Sequence, residues 1–512
     1  MTRIEPADRG ANPFDHRGVE VGADGIRRYR DRPPSLVAML RRGVDARPDA
    51  TAVVELGGPR LTYRELWDAA ARVAGGLAEL GVGRGDRVAI RLPNGAAWIV
   101  AFWGVQLAGA VAVPVNVRLA DPEVAYLIED SGAVLALDIE HGLPDGDAHV
   151  VEDRAPDDVA AIFYTSGTTG DPKGAMMSHA NFLANSESAV RLLGIDREEG
   201  PSLSTLVSVP LFHVTGCNSQ MIPLLDLGGR VEVLRQALDL DGILTAIVEH
   251  RVNHLVSVPA VYHALLRHPD TARSDLGSVR WVLYGGAPID VAMVRRIQAG
   301  FPAARVGNGF GLTESSSLVS FLPHEAAADH PTSVGWAMPV VDIAIDAPDP
   351  TSGVGELLVR GPNVVRGYWR KPRETEATFL DGWLRTGDVG RIDDEGRLYI
   401  VDRIKDIINR GGENVHSIEV ENALAGAPGV GEAAALAVPD TMMGEKVGAV
   451  LVPLPGRELD VEAVLEHVRG QLADFKVPQY VVVRDRPLPR NAGGKVRKPQ
   501  LRAQTTWGAP LR

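Results

Sequence analysis

The stretch YTSGTTGDPKGA, residues 164–175, crowds glycines, hydroxyl side chains and Lys173 together. Glycine lets backbone N–H groups approach a phosphate closely, while hydroxyls bond phosphate oxygens or ligate Mg²⁺. The spacing is not that of a Walker loop, because Lys173 follows Pro172 and precedes Gly174. GFGLTE, residues 309–314, joins Phe310, a ring for stacking a purine, to Glu314, a carboxylate suited to Mg²⁺. GWLRTGDVG, residues 382–390, sets Asp388 in a glycine-flanked turn, where it can accept hydrogen bonds from a ribose diol. PRNAGGKVR, residues 489–497, carries Lys495 on a Gly-Gly loop able to bring charge to an anionic transition state. His213 follows an apolar stretch and precedes VTGCN. Alone, each has an ordinary structural explanation: a strand-to-helix turn, a core phenylalanine, an Asx-turn, a basic surface loop, a hydrogen-bonded histidine.

The elements that position these residues give them weight. From residue 159, short apolar strands alternate with amphipathic helices: VAAIFYT, HANFLANSESAVRLLG, LVSVPLFH, GRVEVL, DGILTAIVEHRV, HLVSVP, AVYHALLRHP, VRWVLYGGAP, DVAMVRRIQAGFP and RVGNGFG. This order predicts right-handed crossovers and a largely parallel sheet. Ligands of open α/β sheets bind beyond the carboxyl ends of the strands. The clusters Thr165–Gly174, Phe212–His213, Pro259, Gly285–Pro288 and Gly309–Glu314 all fall there. Upstream, LTYRELWDAAARVAGGLAELGV predicts a helix with Leu66, Ala69, Ala70, Val73, Leu77 and Leu80 on its apolar face. After residue 330 the pattern turns antiparallel, and beyond VDRIKDIINRGG a compact α+β unit follows. The expected organisation is α/β: a flexible arm over 1–34, a large domain over 35–403 with parallel αβ subdomains and a small β-barrel-like part, and a small mobile α+β domain over 404–512.

Composition narrows the function. A net charge of −13 and a pI near 5.5 argue against a nucleic-acid or anionic-membrane binder. No apolar run is long enough to span a bilayer, and the polar N-terminus lacks a signal core. Cys217 is the only cysteine, which excludes an intrachain disulfide and a cysteine-based zinc site. The expected compartment is the cytoplasm. Gly-x-Ser-x-Gly and His-Glu-x-x-His are both absent.

In order, YTSGTTGDPKG, PLFH, YGGAP, GFGLTE, GWLRTGD, VDRIKDIINRGGENV and PRNAGGKVR resemble the adenylate-forming superfamily, in its acyl-CoA synthetase branch. The resemblance runs from residue 164 to 497, with LTYRELW and LPNG upstream. It implies an ATP-dependent ligase that forms an acyl-adenylate with release of pyrophosphate, then passes the acyl group to a thiol. It assigns Thr165, Ser166, Gly167, Thr168, Thr169, Gly170 and Lys173 to the phosphates, and Thr168 or Thr169 and Glu314 to Mg²⁺. Gly285, Gly286, Ala287, Phe310, Gly311 and Thr313 would border the nucleotide base, while Asp388 and Arg403 would hold the ribose. Lys495 would contact the α-phosphate and the substrate carboxylate, with His213 and Glu314 as the other catalytic groups. Lys405 stands at the hinge position, and Gly411, Gly412 and Glu413 at the CoA loop. Phe310 replaces the commoner tyrosine, keeping the stack but losing a hydroxyl. Residues 489–495 also match a context acetylated in relatives, which would remove the Lys495 charge.

His213 stands where amino-acid-activating relatives carry an aspartate, so the substrate is expected not to be an amino acid. The acyl pocket is expected around His213, Val214, Thr215, Gly216, Val258 and Gly309, with Val261 and Met338 nearby. Small Thr215 and Gly216 would open a long path, which favours a medium- or long-chain fatty acid over an aryl acid. CoA is the expected acceptor; GGENV resembles the CoA ligases, and no insertion typical of carrier-protein loaders is visible. A carrier-protein loader and a non-catalytic binding homologue are the alternatives. The partners expected are therefore small molecules (the acid, ATP and CoA), with a homodimer compatible and no nucleic acid.

Overall fold

AAWIVAFWGVQL, the helix Ala96–Leu107, is apolar on every side, and such a helix has to be covered on every side. In the computed structural model it packs against Thr51–Glu55 of one sheet and Arg87–Arg91 and Val111–Pro114 of another. The structure describes residues 4–165, 171–236, 239–286, 289, 291–411, 413–490 and 496–511. Helix Tyr63–Glu79, started by a Thr62/Glu65 capping box, crosses this buried helix closely. A Cβ on Gly104 would fall 2.5 Å from Val73 Cγ1, so only glycine allows the approach. Leu66, Ala70, Val73 and Leu77 are buried as their spacing predicts, Ala69 is half-buried, and Leu80 is exposed past the last turn.

The first sheet has nine strands, in the order Trp336–Ala337, Ser320–Leu322, Arg305–Phe310, Trp281–Gly285, His254–Ser257, Ser204–Val207, Arg230–Val233, Thr51–Glu55, Arg60–Thr62. The six inner strands are parallel and the rims antiparallel. The second runs Leu135–Asp138, Arg87–Arg91, Val111–Pro114, Val159–Thr165, Lys173–Ser178. Its last strand is antiparallel, which the strand–helix alternation missed: GAMMS returns along VAAIFYT before the helix His179–Leu193 begins. A third, antiparallel sheet of Asp342–Asp346, Gly355–Arg360, Trp383–Ile392, Phe379–Leu380 and Leu398–Arg403 forms a half-barrel. The C-terminal sheet carries its own apolar cluster, from Ile408 through Val420 and Leu451 to Val477.

The flexible arm expected over 1–34 is corrected for residues 4–34. Val19–Val21 pairs with Arg27–Tyr29, and Phe14 and Tyr29 are buried. Arg9 donates to the Val341 carbonyl at 2.6 Å, Asn12 to Ala337 at 2.8 Å, and the Tyr29 hydroxyl meets Ser188 Oγ at 3.0 Å. The segment is rich in Arg, Asp, Gly and Pro, a composition that reads as a mobile arm. The planar guanidinium groups of Arg9, Arg27 and Arg32 instead bond carbonyls and carboxylates on the large domain.

Two histidines are buried in apolar surroundings. Burial lowers His179 to about 3 and His254 to about 4. Both bind a proton more weakly folded than unfolded, so their contribution to stability is complete above pH 6.5 and is lost as pH falls through that window. The thermal midpoint is expected to drop between pH 6.5 and 5, above the range of ordinary carboxylates. His254→Leu should flatten that slope in calorimetry; an unchanged slope would remove His254 as a cause.

Candidate active site

Lys173 opens the strand Lys173–Ser178, and Thr165 closes Val159–Thr165 directly opposite, so the two ends of the glycine-rich segment are held side by side. Glu314 lies in the single-turn helix Thr313–Ser315 that follows Arg305–Phe310. A third segment joins them. Trp369 N–H donates to the Gly174 carbonyl at 2.7 Å, Met176 N–H to Gly367 at 3.1 Å, and Val365 N–H to the Glu314 carbonyl at 2.9 Å. From this segment the Tyr368 hydroxyl donates to Glu314 Oε1 at 2.7 Å, and the Lys173 ammonium lies 5.3 Å from the same ring. Burial, then the neighbouring Glu314 charge, raises the Tyr368 phenol far above its ordinary value. Glu314 and Tyr368 line a cavity of about 280 Å³ together with Glu356, Arg385, Thr386 and Gly387.

Asp388 directly follows Thr386 and Gly387, which line that cavity. The turn expected for GWLRTGDVG is instead a bulge within the strand Trp383–Ile392. Between the pairs Arg385↔Leu358 and Val389↔Glu356, three residues face one. Gly387 takes φ +69°, and Thr386 Oγ1 donates to the Leu357 carbonyl while accepting the Asp388 N–H. Asp388 is buried and sits opposite Arg403, whose Nε lies 2.8 Å from Asp388 Oδ1. Its Oδ2 is buried without a hydrogen-bond partner among the described residues. A buried, unpaired carboxylate oxygen is costly unless a ligand completes it.

Lys405 follows in the turn Ile404–Asp406. Partial desolvation lowers its ammonium pKa, with Arg403 acting the same way and Asp406 opposing. Beyond the linker, Ser417 donates to Asp402 through its amide and through Oγ at 2.9 Å. Lys498 in turn donates to Ser417 Oγ at 2.6 Å and pairs with Glu421 at 2.8 Å. Sequence reasoning missed Tyr368, Asp402, Ser417 and Lys498, because each matters through a partner remote in the chain. Gly411, at φ +62°, and Glu413 lie exposed at the tip of the hairpin Ile408–Arg410/Glu413–Val415.

Gly285 pairs with Gly309 across adjacent parallel strands, and a Cβ on Gly285 would collide with the Gly309 carbonyl. Gly286 takes φ +74°, with Val258 beside it. Phe310 and Thr313 are half-buried. His213 Nδ1 accepts the Thr215 amide at 3.2 Å, capping the turn Val214–Gly216. The expectation that Gly216 opens an acyl path is corrected: its side-chain direction runs into the Pro210 carbonyl, so glycine serves a close backbone approach there. Val214 is buried, while Thr215 remains half-buried. Ser166, Gly167, Thr168, Thr169, Gly170, Ala287, Gly412 and Lys495 lie outside the described residues.

A phosphate-type hairpin, a carboxylate behind it and an acid–arginine pair at a linker define a nucleotide-dependent enzyme built from a large and a small unit. The chain belongs to the AMP-binding enzyme family: that family matches residues 40–369, and the AMP-binding enzyme C-terminal domain matches 419–495. It is 38% identical over 480 residues to feruloyl-CoA synthase of Amycolatopsis sp, covering 89% of this chain and 96% of that one. It is 32% identical over 509 residues to the long-chain-fatty-acid–CoA ligase FadD13 of Mycobacterium tuberculosis, covering 92% and 99%. O-succinylbenzoate coenzyme A synthetase (MenE) from Bacillus subtilis, in complex with ATP and magnesium ion, superposes with a TM-score of 0.81 at 30% identity, covering 91% and 99%. This chain is accordingly an ATP-dependent acid–CoA ligase of the AMP-forming kind.

The loop that carries Glu314 depends on Gly311, where a Cβ would overlap the Ser317 carbonyl. Gly311→Ala is expected to cost about 1–3 kcal/mol and to lower the thermal midpoint. Gly309→Ala, whose Cβ meets Leu318 Cδ2 at 3.7 Å and Phe321 Cδ2 at 3.8 Å, should leave it near that of the unmodified chain. Equal midpoints in fluorimetry would show that loop 312–317 yields.

Proposed function

We propose that the chain activates a hydrophobic carboxylic acid at the cavity shared by Glu314 and the Asp388 bulge, and passes the acyl group to CoA. The observation that carries this reading is Asp388: a buried carboxylate with one oxygen on Arg403 and the other awaiting a partner, as a ribose hydroxyl would supply. Half-buried Phe310, at the end of the strand paired through Gly285 and Gly309, offers a ring face for a flat base. Glu314 suits Mg²⁺, since Tyr368 occupies one carboxylate oxygen and the other is left for a cation. Bound there, Mg²⁺ would offset charge on the departing pyrophosphate.

In this reading Thr165, Lys173 and the loop between them steady the β- and γ-phosphates, with Thr168 or Thr169 near the metal. Lys495 neutralises the α-phosphate as the substrate carboxylate attacks it. The unit from residue 404 onward then turns about Lys405, withdrawing Lys495 and presenting Gly411–Glu413 to CoA. Separate apolar clusters in the two units support such a motion.

A medium- or long-chain fatty acid and an aryl acid are equally supported as substrates. The long-path argument loses Gly216, and the similarity to feruloyl-CoA synthase favours the aryl class as strongly as FadD13 favours the fatty one. Pyrophosphate release with a panel of fatty and hydroxycinnamic acids, with and without CoA, separates them by kcat/KM. No release with any acid would overturn the ligase reading. Lys495→Ala should abolish ATP–pyrophosphate exchange while sparing thioester formation from supplied acyl-adenylate; equal loss of both steps would refute the division of labour.

A further inference from the structure

Tyr368 is one of the most constrained side chains near the site. Its N–H bonds Thr375 Oγ1 at 3.0 Å, its ring meets Phe379 edge-on at 5.6 Å, and its backbone bridges to Ala175. The residue is 6% exposed. A phenol held so firmly fixes whatever its hydroxyl touches, and it touches Glu314 Oε1 at 2.7 Å. Glu314 itself is half-buried at the cavity, on a turn whose next residues, Ser316 and Ser317, have φ +54° and +113°. This turn is held by its own Leu312–Ser315 hydrogen bonds and also from outside: Asn363 Nδ2 donates to the Ser315 carbonyl at 3.1 Å and to Leu318 at 2.7 Å.

From the Tyr368–Glu314 hydrogen bond and the immobilised Tyr368 ring, we propose that Tyr368 is the positioning residue for the cation-binding carboxylate. It holds Oε1 so that Oε2 alone faces the incoming metal–nucleotide. This rests on the reading of Glu314 as a metal ligand given above. The Lys173 ammonium lies 5.3 Å from the centre of the Tyr368 ring, so one side chain stands beside both the cationic and the cation-binding group. A free carboxylate can rotate, present both oxygens, or turn back on Lys173; the bonded one cannot. Hydrogen-bonding partners of metal ligands are typically worth about 10–100-fold in metal affinity or activity.

The test is Tyr368→Phe, which removes the hydroxyl and keeps the ring under Lys173. Mn²⁺ binding is read by electron paramagnetic resonance in the presence of a non-hydrolysable ATP analogue, so no turnover is needed. The inference expects the Mn²⁺ Kd to rise about 10–100-fold, with the thermal midpoint little changed and thioester formation from supplied acyl-adenylate retained. In a Glu314→Gln background the same substitution should add no further loss, because Tyr368 acts through Glu314. An unchanged Mn²⁺ Kd overturns the inference. So does an equal further loss in the Glu314→Gln background, or a collapse of the midpoint that lowers both half-reactions together. If the unmodified chain binds no Mn²⁺ with the analogue, the metal-site reading itself fails, and the inference with it; a bound ion that ignores Tyr368 sinks the inference alone.

Discussion

Segment 363–369 is the constraint on which the site depends. It is irregular backbone, yet its amides and carbonyls are spent on two other bodies: Gly174 and Met176 of the second sheet, and the Glu314 turn of the first. The half-barrel begins immediately before this segment and resumes after it, so all three sheets meet there. Glycine makes the contact possible, since a Cβ on Gly367 would press into the Thr375 side chain and Gly367 itself has φ +147°. Lys173, Glu314 and Tyr368 are neighbours because this segment leaves the sheets no other way to satisfy its polar groups.

Charge is handled differently inside and at the site. Asp226, with a side chain of 0% exposure, faces Arg32, Arg42 and Arg197. Burial alone would raise its pKa; Arg32 and Arg197 outweigh that and leave it below its ordinary value. Glu232 has Arg230 and His250 at hand, and there burial still prevails, raising it. In both groups each carboxylate oxygen has a basic side chain beside it, Arg32 and Arg42 on Asp226, Arg230 and His250 on Glu232. Asp388 differs in that Arg403 stands on Oδ1, while the buried Oδ2 has no hydrogen-bond partner among the described residues. That oxygen is where a ligand hydroxyl could complete the carboxylate.

The two-unit arrangement follows from the same economy. The C-terminal unit has its own apolar cluster, and its described polar links to the large unit concentrate at the linker, through Asp402 and Ser417. Lys498 extends that chain to Glu421, so the helix Lys498–Gln504 is tied to Asp402 before the linker by buried polar bonds. Polar links in a buried setting hold one arrangement firmly but are few enough to exchange.

The chain's order of motifs by itself determined the α/β class, the presence of a smaller second unit and the family, because glycine, lysine and carboxylate spacing is local and the chemistry they serve is shared. It also determined the helix Tyr63–Glu79, whose apolar face is written at a 3.6-residue period, but not Ala96–Leu107, which is apolar all round and carries no such period. It misjudged residues 4–34, where Arg9, Arg27 and Arg32 anchor an expected flexible arm, and GAMMS, whose short run carries no sign of strand direction. It read Asp388 as a turn, where a bulge set by pairing with Gly355–Arg360 aims it. Tyr368 gave no signal at all: an aromatic in GYW looks like packing until folding brings it against a glutamate 54 positions away. Residue types and spacing decide what chemistry is available; only tertiary contact decides which oxygen of which carboxylate is left free to do it, because that depends on partners the local sequence does not contain.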